Sequence, residues 1–450
     1  MLRLDYKRTF YTSLGVMGIF IVFQVLETYM SVFLSDLFVK RYGGIPSDHT
    51  HLVGIILGAG NFFTLVCAPL ISYLSDKTKS RLGKRMPYII LGTILTAILL
   101  PLLPFLYMAN NILWFVLVLQ VVVVITDTYR VPMVALMPDI TPKPLRNKAS
   151  GFVDLMGYIG IIFVGIMAII FPAKLGTDGL LSYNPATIWV PFVVTAVLMV
   201  AFLIVMVLKI KENKLASEVK NDMLVGEKLA EIDTNVTDEI KLSKFDKRNL
   251  TLILLAIFFW NLSFAAVQNY GAVFGLEVLD VDTGWWGIVT ISLTVFGMLS
   301  MLPAGNLANK IGRKATIILG LILIFVPFLA ACFIKTPWLF YIAFAFAGAG
   351  WAIINVVSYP MVVEFATEKN LAKFTAQYYF FKTLAYCLAP ILASIFITRR
   401  GYEILFIYAA VVTLLAIICF MFYKKPTKKS KDDNLTQIQD NENISYTNKQ

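Results

Sequence analysis

Twelve long apolar stretches limit what this chain can become more than any other feature. They run near residues 9–34, 51–74, 88–108, 112–137, 149–172, 187–209, 249–276, 284–306, 315–334, 337–363, 374–397 and 402–423. A hydrocarbon layer of roughly 30 Å is crossed by about 20 apolar residues wound as a helix. Backbone N–H and C=O groups find no water there, and a helix satisfies them internally. The expected class is an all-α membrane protein of twelve transmembrane helices. Composition agrees: hydrophobic residues are 58%, charged residues 15% and mean hydropathy +0.75, against about 25% charged in an ordinary soluble domain. The first stretch is too long for a signal peptide and no small-residue cleavage site closes it, so it too reads as a span.

The net charge of +11 is spread in a telling way. Of 39 Lys and Arg, six fall in odd-numbered loops (Lys40, Arg41, Lys174, Lys335, Arg399, Arg400) and two in the interior of spans (Arg130, Lys382). The rest sit at the termini or in even-numbered loops. Positive residues mark the cytoplasmic side, so both termini are expected inside a cell membrane crossed many times. A nucleic-acid surface would gather its bases on one soluble face, so the expected partner is the lipid bilayer. Cys67, Cys332, Cys387 and Cys419 lie in apolar spans without CxxC spacing, and His49 and His51 form a lone HxH pair in a loop. No metal or cofactor is expected from them. An HExxH motif, a catalytic His or Cys arrangement and a sizeable soluble domain are all missing, which argues against a membrane-embedded enzyme or sensor.

The fourth span carries the chemistry. Gln120 to Asp139 reads QVVVVITDTYRVPMVALMPD, with Asp127 and Arg130 near mid-depth. A charge at the bilayer centre costs at least about 2.5–3.5 kcal/mol, so it persists only beside a partner or water. The two share a helix face, with Gln120 two turns earlier, and Pro132 loosens the backbone beside them. Either they form a structural ion pair or they load and unload with a solute or a proton; the second is the working expectation, because a buried pair rarely adds stability. Gln24 and Glu27 lie on one face of the first span, Glu27 roughly 12 Å below the outer surface and level with Gln120. Glu27 is either a polar anchor in a wet vestibule or part of the charge network. Asp154 opens the fifth span about 9 Å from the inner surface, and Lys382 lies about 13 Å from it in the eleventh. Two acids and two bases then share one band, and gain or loss of one proton would unbalance it.

The loop after the second span reads Ser75-Asp76-Lys77-Thr78-Lys79-Ser80-Arg81-Leu82-Gly83-Lys84-Arg85-Met86-Pro87. It is a tight inner turn in which Gly83 permits the reversal and Pro87 suits the next helix start. Asp76 can pair with a base or a helix N-terminus and latch the inner side, with Arg81 and Arg85 alongside. The pattern S-D-x-x-x-S-R-x-G-K-R-x-P resembles the corresponding loop of the glycoside–cation symporters and of the sucrose-transporter-like (sucrose/proton symporter) families of the major facilitator superfamily. The segment Ala135 to Pro142 is similar to the end of their fourth helix. One departure stands out: the cation-binding acid of the melibiose-type symporters falls on Arg130, and Asp127 is one turn earlier. That argues against simple sodium coordination and favours protons.

The second half repeats the first. Leu82-Gly83-Lys84-Arg85 recurs as Ile311-Gly312-Arg313-Lys314, Pro132-Met133-Val134 as Pro360-Met361-Val362, and Thr141…Leu145 as Thr367…Leu371. Three matches in order at nearly one offset indicate two pseudo-symmetric six-helix bundles. In that register Asp127 faces Asn355 and Arg130 faces Ser358, and, once the four-residue expansion of the first half's loop is allowed for, Asp76 corresponds to Asn309, so the second half is the neutral copy. Its polar stripes are Trp260, Asn261, Phe264 and Gln268 on the seventh span, and Tyr378, Tyr379, Lys382 and Tyr386 on the eleventh. Aromatic planes with amide and hydroxyl groups suit a sugar; simple packing aromatics are the alternative. The expected domains are an N-terminal bundle at 1–210, a polar cytoplasmic linker at 211–246, a C-terminal bundle at 247–423 and a disordered tail at 424–450.

The resemblance implies secondary active transport of a glycoside or disaccharide by alternating access, with proton symport as the coupling and a monomer sufficient. Asp127 or Asp154 would carry the proton, with Arg130, Lys382 and Glu27 in the same charge network. Gln24, Gln120, Asn261, Gln268, Asn355, Tyr378, Tyr379 and Tyr386 would face the sugar. Asp76, Arg81, Gly83 and Arg85 would form the inner gate. The alternatives are an uncoupled or sodium-coupled sugar carrier, and a drug–proton antiporter of the same superfamily.

Overall fold

Apolar helices too long to end by hydropathy alone are stopped by their caps. In the computed structural model, which describes residues 4–176, 180–219, 221–225, 243–365 and 371–424, Asp5 caps α1 (Tyr6–Tyr42) by accepting the Arg8 N–H at 3.0 Å. Gly43, with φ +76°, closes the far end of that helix. The apolar run alone suggested 9–34; the helix overruns it at both ends because capping is a side-chain effect that hydropathy does not register. Among the described residues twelve helices are long and apolar enough to span a membrane. After α1 come α2 (Thr50–Lys77), α3 (Met86–Met108, broken at Pro101), α4 (Ile112–Asp139), α5 (Arg146–Ile170) and α6 (Val190–Lys209). The second set is α7 (Lys244–Val278), α8 (Thr283–Ile311), α9 (Arg313–Ala331), α10 (Leu339–Val363), α11 (Leu371–Arg400) and α12 (Ile404–Phe422). Within the expected linker a short helix spans Glu212–Glu218. Residues 226–242, the repeat match at Thr367 and the expected tail from 425 lie outside the described residues.

Helix pairing shows the internal repeat. α1 packs on α4, α5 and α6, and α7 packs on α10, α11 and α12. α4 also takes α2 and α3, as α10 takes α8 and α9, and α3 meets α6 as α9 meets α12. Adding six to each helix number turns the first set into the second. This is the fold of two pseudo-symmetric six-helix bundles. Each bundle has an aromatic centre, Phe33 stacked on Tyr107 at 4.2 Å in one and Phe340, Phe344 and Phe406 in the other.

The bundles meet through α2 against α11, α5 against α8, and α1 against α7. These contacts concentrate near the end opposite the termini, here the far end; the end bearing the termini is the basic end. A Cβ on Gly58 would stand 2.7 Å from the Cys387 carbonyl oxygen, and one on Gly287 2.5 Å from that of Gly165. Thr50 and Tyr402 share a hydroxyl hydrogen bond of 2.9 Å, and Ala173 and Thr283 exchange two bonds of 2.9 Å across the same seam. Asp36 fastens the far loop by accepting from Tyr107 at 2.6 Å and from the Leu181 N–H at 2.7 Å, with Lys40 2.7 Å away. Toward the basic end the seam parts, and Arg130 and Tyr379 between the bundles are about half exposed.

This close approach sets a test. Gly58→Val with Gly287→Val puts branched side chains where backbone now touches backbone, so the far end is expected to stay apart. A cysteine introduced by Gly151→Cys, at a position that is exposed with open space around its Cβ, reports the result in a background lacking the native cysteines. Its reaction with a membrane-impermeant maleimide from the basic side is expected to slow several-fold. An unchanged rate would show that far-end closure does not control access at the basic end.

Candidate functional site

Asp127 and Arg130 sit three residues apart on α4, so one helix turn presents both to the space between bundles. Asp127 is buried and accepts a 3.1 Å hydrogen bond from Thr64 of α2 through one oxygen. Its other oxygen lies 3.8 Å from Arg130 Nε. Arg130 makes no hydrogen bond among the described residues; its side chain is 49% exposed and its guanidinium lies 5.5 Å above the Phe23 ring. The acid is thus held at both oxygens while the terminal fork of the base is left open. Thr64 was not anticipated from the sequence. Its depth on α2 matches that of Asp127, but a threonine in an apolar helix carries no signal of its own.

Asp154 of α5 and Lys382 of α11 face each other from opposite bundles. Each lies within the other's electrostatic reach, and Lys382 also feels Arg130, yet among the described residues no direct ion pair joins them. Both are partly exposed. Tyr158 and Tyr379 are near neighbours of Asp154. The expected band of two acids and two bases therefore occupies one region, with one pair in loose contact inside α4 and the other split across the seam.

Higher in the cavity, Glu27 of α1 accepts a 3.2 Å hydrogen bond from Gln268 Nε2 of α7, a polar contact between bundles. Tyr386 of α11 lies close enough to feel both Glu27 and Arg130. Tyr378, Tyr379 and Tyr359 form an edge-to-face cluster, and the Tyr378 hydroxyl meets Ser358 at 3.2 Å. Ser358 is the repeat counterpart of Arg130, so hydroxyls occupy on α10 the place that charge occupies on α4. Phe264 stacks on Trp351 at 3.8 Å and 8°, making an aromatic platform beside Asn355.

Not every expected residue joins this group. Gln24 is buried and donates to Thr28 at 3.3 Å, and Asn261 is buried and donates to the Ile257 carbonyl at 2.7 Å. Asn355 likewise bonds the Trp351 carbonyl at 2.8 Å. Each of these amides takes a partner one turn away on its own helix, a choice that a helical stripe alone does not reveal. Gln120 does not reach across to Glu27 despite the matching depth; its Nε2 donates to the Ile56 carbonyl of α2 at 2.8 Å.

At the basic end the loop between α2 and α3 is tightly made. Arg85 is buried; it donates to Ser75 at 2.6 Å and Asp139 at 3.0 Å and pairs with Asp76 at 2.5 Å. Lys84 adds a second base on Asp139 at 2.9 Å. Gly83 has φ +118°, a conformation an L side chain rarely adopts. Arg81 is exposed. The other bundle repeats the corner with Arg313 and Glu364 at 2.8 Å.

Comparison with known proteins gives this geometry a context. The family model described as MFS/sugar transport protein matches residues 11–371. Solved structures with the same fold include the inward-open xylose transporter XylE from E. coli, at TM-score 0.68, 16% identity and coverage of 94% of this chain and 98% of the other. A point mutant of the nucleoside transporter NupG aligns at TM-score 0.62 and 14% identity over 92% of this chain and 100% of the other. Among sequence relatives, a class H tetracycline resistance protein of Pasteurella multocida is 26% identical over 75% of each chain. A Na(+), Li(+), K(+)/H(+) antiporter of Planococcus maritimus is 25% identical over 42% of this chain and 46% of its own.

Proposed function

We propose a substrate and a coupling from one premise: the chain belongs to the MFS/sugar transport protein family and is a transporter of the major facilitator superfamily. It carries a glycoside or disaccharide by alternating access, in symport with a proton. The basic end is cytoplasmic, and both termini lie there. The N-terminal bundle ends near residue 210, the C-terminal one begins near 247, and a single copy suffices.

The observation that carries the reading is the split pair of Asp154 and Lys382 beside an Arg130 whose fork is free. Asp127 is engaged by Thr64 and Arg130, so its work is to aim the guanidinium. Asp154 has partial exposure and, among the described residues, no direct ion pair, which lets water deliver and remove its proton. Protonating Asp154 removes the charge that attracts Lys382 and frees its ammonium to donate to the solute's hydroxyls, so proton and solute favour each other's binding and the bundles move when both are aboard or both gone. Arg130, Tyr379 and Tyr386 meet the solute's hydroxyls, and the Phe264–Trp351 platform supports the C–H face of a ring.

Proteoliposome uptake with a panel of labelled sugars, with and without an imposed pH gradient, tests this. Accumulation of one sugar that collapses with a protonophore is the expected result. Transport of every sugar indifferent to the gradient would remove the proton. The names of the sequence relatives favour a second reading, proton-coupled export of a drug or a cation; drug or salt resistance conferred by this chain, with no sugar uptake, would establish it in place of the first.

A further inference from the structure

The short helix after α6 is joined to the gate loop by a contact that the transport reading leaves unused. Glu212 is 4% exposed, a rare condition for a carboxylate at the start of a linker. Its Oε1 accepts from the backbone N–H of Lys84 at 3.0 Å and of Arg85 at 3.1 Å. Its Oε2 accepts from Arg85 N–H and Met86 N–H, each at 3.0 Å. These are the unpaired donors at the start of α3, where a negative charge is favoured. A Cβ on Gly83 would collide with this carboxylate, so the glycine leaves room for it. Next in line, Asn213 donates to the carbonyls of Ser80 and Arg81, each at 3.0 Å. The segment leaving the first bundle is thus stapled along the whole gate loop.

The second bundle solves the same problem with the opposite charge. Lys314, the repeat counterpart of Arg85, donates to the Met421 carbonyl at 3.1 Å and the Tyr423 carbonyl at 2.5 Å, where the chain leaves α12. Both bundles tie their exit to the head of their third helix. Only the first does so with an acid clamped on the residue that also holds Asp76.

We propose that Glu212 is a positioning residue of the inner gate: by fixing the backbone of Arg85 it keeps Asp76 occupied and so favours the form open at the basic end. The route is local and physical. Arg85 engages Asp76, Ser75 and Asp139 only if its backbone is held where Glu212 holds it. Asp76 ends α2, the helix that packs across the seam on α11. When the basic end closes, the end of α2 approaches the first turn of α11, whose helix dipole attracts a carboxylate. Asp76 then has a choice between Arg85 and that turn. Losing Glu212 loosens Arg85 and tips the choice toward closure. The inference goes beyond the substrate and the coupling proposed above.

The maleimide reaction of the cysteine introduced by Gly151→Cys reads this population without any solute, so its outcome is independent of which solute or ion is carried. In membranes holding the full chain, Glu212→Gln is expected to slow labelling from the basic side by up to about fivefold, the ceiling that roughly 1 kcal/mol sets on a two-state balance. Glu218→Gln, on the same short helix and, among the described residues, paired only with an exposed Lys214 at 3.7 Å, is expected to leave labelling unchanged. Adding Asp76→Asn to Glu212→Gln is expected to restore it, since the freed latch is then gone. An unchanged rate in Glu212→Gln overturns the proposal. A slowed rate that Asp76→Asn fails to restore overturns the route through Arg85.

Discussion

Asp154→Asn is expected to abolish accumulation of solute against a gradient while leaving exchange of labelled for unlabelled solute running. With one proton per solute, a gradient of one pH unit supports about tenfold accumulation, because each tenfold ratio and each pH unit correspond to about 1.4 kcal/mol. An asparagine at 154 cannot carry the proton, so the limiting ratio falls to unity however long uptake continues. Exchange needs only the loaded carrier to reorient, and the neutral amide mimics the protonated acid. Asp127→Asn is the matched comparison. Its carboxylate is already committed to Thr64 and faces Arg130, so that variant is expected to bind solute more weakly and still accumulate it. If Asp154→Asn concentrates solute as the parent does, or if only Asp127→Asn fails to, the assignment of the proton to Asp154 is wrong.

The second large effect concerns the free fork. Arg130→Lys keeps the positive charge beside Asp127 but replaces a planar pair of donors with a single flexible ammonium. A hydrogen bond to a charged group is worth up to about 3 kcal/mol. Loss of the fork is therefore expected to raise the half-saturating solute concentration by roughly 10- to 150-fold, the range of about 1.5–3 kcal/mol. The maximal rate should change far less, since the charge that balances Asp127 is retained. Uptake kinetics over a wide concentration range separate the two. A half-saturation value within a factor of about two of the parent, well under 1 kcal/mol, would mean the guanidinium meets water rather than solute.

These expectations rest unequally on what the chain reveals in one dimension. The band of Asp127, Arg130, Asp154 and Lys382 was legible because ionisable groups in apolar helices are few, and helix rise converts sequence position into depth. Depth says nothing of direction around the axis. Gln120 has the right depth and turns to the Ile56 carbonyl instead; Gln24 and Asn261 have the right stripe and close on their own helices. Thr64 and Glu212 were invisible for the opposite reason. Neither is unusual where it stands, and each matters only because another helix end or another carboxylate is brought to it.

Length, hydropathy and the spacing of three short repeats were enough by themselves to determine twelve spans, two matched bundles and the side that carries the bases, because oil forces every spanning segment into a helix and each helix into a fixed rise. Tertiary structure alone decided which partner each polar group took and at which end the bundles close. Those choices depend on contacts between helices hundreds of residues apart, such as Glu27 with Gln268 and Gly58 with the Cys387 carbonyl, and no local pattern along the chain encodes them.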